Sequence, residues 1–231
     1  MTAGPLPATG ALVPLRLPAR PRAAVLVLHG GRADGLGPAR PWQLAALRMR
    51  PFHRALADAL PDDVLLAGVR YRVRGWNGTR ADPVPDTLDA LGQLAALAGP
   101  VPTVLVGHSM GGRAALRAAG HPQVGGLLAL APWWPPDEEP GPLAGRRVVV
   151  LHGARDRVTA PADSADLVRR ARGTAERAAM ALVRDGDHAM LRRPGFWHGT
   201  TAAVVAHLLD PGGRPDPLPP ECYAPGPVPV L

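Results

Sequence analysis

The run "LVGHSMGGRAAL", Leu105 to Leu116, decides how this chain folds. The stretch "TVLVGH", Thr103 to His108, has the length and apolar content of a buried strand. Met110 to Ala119 reads as a helix, and only Ser109 lies between the two. A chain that leaves a strand and enters a helix across one residue turns so tightly that the corner residue is strained. Strand and helix then touch, so the positions two before and two after the corner must be small. Gly107 and Gly111 meet that need, and Gly112 adds a third small residue. This is the G-x-S-x-G elbow, which lifts the serine hydroxyl above a sheet. The sequence holds only one other serine, Ser164.

Outward from the elbow, short apolar runs alternate with helical patterns. Strands are expected at Ala23–Gly30, Asp63–Arg72, Gly126–Pro132, Arg147–Gly153 and Ala178–Val183. Helices are expected at Trp42–Leu60, interrupted at Pro51, and at Asp86–Ala98, Pro161–Arg172 and Gly195–Leu209. This rhythm predicts an α/β fold with a mostly parallel central sheet and helices on both faces. Ligands of such sheets bind at the carboxyl ends of the strands. The stretch 210–231 holds eight prolines in 22 residues, and a poorly ordered tail is expected there beyond a domain spanning 1–209.

A serine hydroxyl is a weak nucleophile and needs a base held by a third group. The elbow predicts that these follow in the order acid, then histidine. "VVVLHGARDRVTAP" places Asp156 just past a strand, and "LVRDGDHAML" places His188 in a short polar loop past the last strand. Of the eight histidines, His29, His108 and His152 close strands and read as structural or neighbouring groups. His53, His121, His198 and His207 fall on helices or their ends. Asp163 sits in a helix start, where a carboxylate complements the dipole, and Asp185 and Asp187 read as turn formers. The candidate catalytic set is Ser109, Asp156 and His188. An oxyanion needs fixed donors, for which the Met110 and Gly31 N–H groups are the candidates, with Arg32 as the alternative to Gly31. Arg32, Trp76, Trp133, Trp134 and Met190 are candidates for the substrate pocket, although tryptophans at strand ends also serve as core.

The pieces "LHGG", "GHSMGG", "LHGARDRVTAP" and "GDHAML", in that order over Ala23 to Leu209, resemble the α/β-hydrolase superfamily. The resemblance implies a sheet of about eight strands, with Ser109 as nucleophile, His188 as base and Asp156 as its partner. Many relatives insert a cap domain where this chain has only "WWPPDEEPGPLAG", Trp133 to Gly145, so no cap domain is expected. The chain is similar to the dienelactone-hydrolase-like and serine-aminopeptidase-like branches, but Cys222 lies in the tail and does not match a cysteine nucleophile. The implied reaction is cleavage of a carboxylic ester in a small-molecule acyl substrate, without cofactor or metal. An acyltransferase or thioesterase on the same residues and a non-catalytic binding protein are the alternatives.

Composition narrows the rest. A single cysteine excludes an internal disulfide and a cysteine-rich metal site. No run approaches the roughly 20 apolar residues of a membrane helix. "MTAGPLPATG" lacks the basic start and apolar block of a secretory signal, so the cytoplasm is the expected compartment. The net charge is +7, and all 26 basic residues are arginine. They are scattered and not interleaved with aromatics, so no nucleic-acid partner is expected. Arg70, Arg72 and Arg74 alternate along one extended face and form the one weak candidate for an anionic partner.

Overall fold

In the computed structural model, described for residues 10–231, strands β1 (Leu12–Arg16), β2 (Ala23–Leu28), β3 (Val64–Val69), β4 (Thr103–His108), β5 (Val124–Leu130), β6 (Arg147–Gly153) and β7 (Arg177–Val183) form one sheet. The stretch read for a secretory signal lies almost entirely outside the described residues. The sheet order is β1-β3-β2-β4-β5-β6-β7. Every pair is parallel except β1 with β3. The described residues thus give seven strands where about eight were expected. β1 escaped the sequence reading because "LVPLR" is short and only Leu12 is buried, so it lacks the continuous apolar run of the inner strands.

Two helix layers explain the inner strands. All six residues of β2 are buried, as are all six of β4. Alternate side chains of β2 feed opposite cores: Ala24, Leu26 and Leu28 on one face, Ala23, Val25 and Val27 on the other. The first core is covered by α3 (Pro83–Ala98), α4 (Met110–Ala118) and α5 (Pro161–Ala171), the second by α2 (Arg50–Ala59) and α6 (Pro194–Leu209). A one-turn helix, α1 (Leu44–Leu47), precedes α2. Pro51 stands in the first turn of α2 and Pro83 opens α3, where a missing N–H breaks no helical bond. This explains why α3 begins before Asp86. The connection from β5 to β6, residues 131–146, contains only a short 3-10 turn, Gly141–Leu143, and no cap domain. No described helix is long and apolar enough to cross a membrane.

The expected disordered tail is corrected. Residues 210–231 pack on the outer edge of the sheet, with Leu218 and Cys222 buried in the second core. The Leu182 N–H donates to the Pro229 carbonyl at 2.7 Å, and the Leu231 N–H donates to the Leu182 carbonyl at 2.8 Å. Proline enters this pairing with its carbonyl alone, as it does at the start of a strand. Arg177 adds a stack over the Tyr223 ring at 3.9 Å. Ending the chain at Arg214 therefore removes two buried apolar groups and the pairing on β7. We expect a loss of about 3 kcal/mol and a fall in Tm of about 6–12 °C, measured by calorimetry. An unchanged Tm would show that the tail adds nothing.

Candidate active site

Ser109 has φ 53° and ψ −119°, a conformation that non-glycine residues rarely hold. The surroundings fix it there. Its N–H donates to the Leu130 carbonyl at 3.1 Å, and its carbonyl accepts from the N–H groups of Gly112, Arg113 and Trp133. The flanking glycines are obligatory for the same corner. A Cβ on Gly107 would stand 2.4 Å from the Gly111 carbonyl oxygen, and one on Gly111 would stand 2.4 Å from that of Leu28. β4 and α4 meet backbone to backbone, and β2 lies equally close.

Three loops at the carboxyl edge of the sheet bring the sequence candidates together. His188 Nε2 lies 3.0 Å from Ser109 Oγ, and His188 Nδ1 lies 2.8 Å from Asp156 Oδ2. The Asp156 side chain has no exposed surface. Its Oδ1 accepts from the Val158 and Thr159 N–H groups at 2.8 and 3.0 Å. Burial opposes the Asp156 charge, but donors from His152, His188 and the Thr159 and Val158 backbone outweigh it and hold the carboxyl well below the usual range. The His188 loop is itself anchored: His108 Nε2–H donates to the His188 carbonyl at 2.9 Å. Burial, with His188 beside it, pushes His108 down to about 3. Asp187 acts as a turn former, with Oδ1 accepting from the Leu191 and Arg192 N–H groups.

The oxyanion candidates are also neighbours. A Cβ on Gly31 would stand 2.3 Å from the Met110 methyl group, so the two residues pack directly. The Arg32 N–H is occupied by the Arg74 carbonyl at 3.1 Å, whereas no described acceptor faces the Gly31 or Met110 N–H. This geometry favours Gly31 over Arg32.

The pocket candidates scatter. Trp134 is buried, with Nε1–H donating to the Gly112 carbonyl at 3.1 Å, and Met190 is buried in the second core. Both are corrected from pocket to core: strand-end position says where a residue starts, not which way it points. Trp76, buried, and Trp133, half-buried, meet edge to face and both lie against the Arg113 guanidinium, at 4.3 and 4.7 Å. Glu138, buried in turn, pairs with Arg113 and Arg117. Arg32 is exposed. Arg72 of the alternating arginines pairs with Asp86. The groove that borders His188 is one the sequence reading missed. It has a volume of about 360 Å³ and runs between His188, Ala189 and Leu191 on one side and Leu44, Leu47 and Arg48 on the other. Leu44 is 84% exposed and Leu191 57% exposed at its rim. No periodic signal marks a one-turn helix as a groove wall. Among the described residues, no cluster of three or more His, Cys, Asp or Glu side chains is arranged to hold a metal.

A mostly parallel sheet, helices on both faces and a strained serine corner after a central strand define the α/β-hydrolase fold. The sequence model of the alpha/beta hydrolase family matches residues 25–231, and the chain belongs to that family. Solved structures share the fold. A serine hydrolase without lid from Xanthomonas campestris is 18% identical, with TM-score 0.63 over 90% of this chain and 99% of that one. A putative alpha/beta hydrolase from Agrobacterium tumefaciens is 13% identical, with TM-score 0.66 over 89% and 94%. Est1E from Butyrivibrio proteoclasticus is 10% identical, with TM-score 0.63 over 86% and 93%. No curated protein matches the sequence.

Proposed function

We propose that this protein is a serine hydrolase that cleaves carboxylic esters through an acyl-enzyme. The supporting observation is the unbroken hydrogen-bonded series from Ser109 Oγ through His188 to the buried Asp156 carboxylate. Asp156 can only accept, so His188 Nδ1 holds its ring proton and Nε2 is left basic toward Ser109. Ser109 Oγ attacks the ester carbonyl as His188 Nε2 takes its proton. The Gly31 and Met110 N–H groups receive the oxyanion. His188 then gives the proton to the leaving alkoxide, draws one from the attacking water, and returns it to Ser109 Oγ as the acid leaves. Every step uses this chain's side chains, its backbone and water.

The leaving oxygen must come within reach of His188 Nε2, so the alcohol part of the ester lies on the His188 side of Ser109. His188 itself lines a groove walled by Leu44, Leu47, Ala189 and Leu191, with Arg48 as its one charge. We read the substrate as an ester of an apolar alcohol. The likeness to a lidless serine hydrolase supports the hydrolase reading at the level of fold and says nothing of the alcohol.

A fluorophosphonate probe is expected to label Ser109 in the folded protein, and p-nitrophenyl acetate to be hydrolysed. With alkyl acetates from methyl to hexyl, kcat/KM is expected to rise about twofold per methylene. That is roughly half the effect of full burial at about 0.8 kcal/mol per CH₂, because the groove is open on one side. A flat alcohol series with a steep acyl series would place the apolar specificity on the other side of Ser109. Preferential transfer to added thiols or alcohols would favour the acyltransferase reading. Absence of labelling and hydrolysis in folded protein would leave a binding role.

A further inference from the structure

The two serines of the chain end one continuous series of close polar contacts: Ser109, His188, Asp156, His152, Ser164. The reaction described above uses only the first three. His152 stands next to the end of β6 and has no exposed surface. Its Nε2 lies 3.2 Å from Asp156 Oδ2, the same oxygen that meets His188 Nδ1 at 2.8 Å. Its Nδ1 lies 3.0 Å from the hydroxyl of Ser164, which is fully buried on α5. The Thr159 hydroxyl sits among them: it donates to Asp156 Oδ2 at 3.0 Å and lies 3.3 Å from His152 Nε2 and 3.2 Å from His188 Nδ1.

The Thr159 hydroxyl gives its proton to Asp156 Oδ2, so His152 Nε2 faces only acceptors, that carboxylate oxygen and Thr159 Oγ1, and bears the ring proton. Nδ1 is then the acceptor, and the Ser164 hydroxyl donates to it. Ser164 therefore selects the tautomer of His152 from the far side, as Asp156 selects that of His188. We propose that His152 is a positioning residue: its Nε2–H fixes the Asp156 carboxylate toward His188 and draws off part of the charge that His188 faces. The role presupposes the hydrolase reading.

Negative charge beside an imidazolium favours the protonated ring, and each further donor to that carboxylate weakens the effect. Without the His152 donor, His188 keeps its proton to higher pH and is less available as a base. Other groups that face this centre stay unchanged by substitution at 152. His108 lies with its ring centroid 5.0 Å from that of His188. Arg48 lies across the groove. Asp187 is bound to the loop backbone. Thr159 adds a hydroxyl.

The test uses the full chain with His152→Leu, His152→Gln and Ser164→Ala. Titration of His188 is followed by NMR with ring-¹³C-labelled histidine, assigned with His188→Gln, beside kcat/KM for p-nitrophenyl acetate against pH. In His152→Leu the His188 midpoint is expected to rise by about 0.5–1 pH unit. The acid limb of kcat/KM is expected to move the same way. His152→Gln retains an N–H for Asp156 and is expected to return both toward wild type, with Ser164→Ala between. An unmoved midpoint in His152→Leu, or an equal shift in Leu and Gln variants, overturns the proposal. If His152→Leu does not fold, an unmoved midpoint in Ser164→Ala overturns it. The titration is readable without catalysis, so an inactive wild type would sink the hydrolase reading and leave this result separately legible.

Discussion

Ser109→Ala is expected to end fluorophosphonate labelling and lower kcat by a factor on the order of 10⁶, as loss of a triad nucleophile does. The fold is expected to survive. The Ser109 backbone is held by the Leu130 carbonyl and by three N–H donors, none of which needs the hydroxyl. A second substitution separates chemistry from strain. Ser109 holds φ 53° against the preference of any residue with a Cβ, at a cost of about 1–3 kcal/mol. Ser109→Gly relieves that strain but adds freedom to the unfolded chain, about 0.5–1 kcal/mol. It is expected to be as inactive as the alanine variant, yet more stable than wild type by about 1 kcal/mol, or about 2–4 °C in Tm. Activity remaining in either variant would exclude Ser109 as the nucleophile, and a Gly variant less stable than wild type would exclude strain at the corner.

Asp156→Asn is expected to cost about 10⁴-fold in kcat with little change in shape. The amide oxygen suits the Val158 and Thr159 N–H groups, which leaves the amide NH₂ facing both His188 Nδ1 and His152 Nε2. Each ring nitrogen there is a donor, so His188 must shift its proton to Nε2, where it can no longer accept from Ser109. Stability follows the same carboxylate. Its folded value is depressed, so its contribution is fully present above the unfolded value of about 3.9 and is lost as pH falls below that. Tm of wild type is therefore expected to fall more steeply below pH 4 than Tm of the Asn variant. Parallel Tm curves would mean that Asp156 is not held in its charged form.

The inner strands were legible because their signal is local. A strand buried on both faces reads as a continuous apolar run wherever it sits in the sheet, and β4 and β6 occupy the expected residues, Thr103–His108 and Arg147–Gly153. β1, covered on one side only, gives no such run. Ser109, Asp156 and His188 could be selected from the sequence because each follows a strand, and parallel strands deliver the residues after them to one edge.

What the chain sequence determined is therefore the backbone logic: a corner that only Gly107 and Gly111 permit, and loops that bring an acid and a histidine to that corner. What the tertiary structure alone decided is which side chains meet. Strand order sets β6 beside β7, and this brings His152 and His188 to one carboxylate oxygen. The same packing buries Trp134 and Met190, docks the proline-rich tail on β7, and sets α1 against the His188 loop as a groove. These contacts join residues far apart in sequence. Their geometry depends on the three-dimensional order of the strands, and no local spacing encodes it.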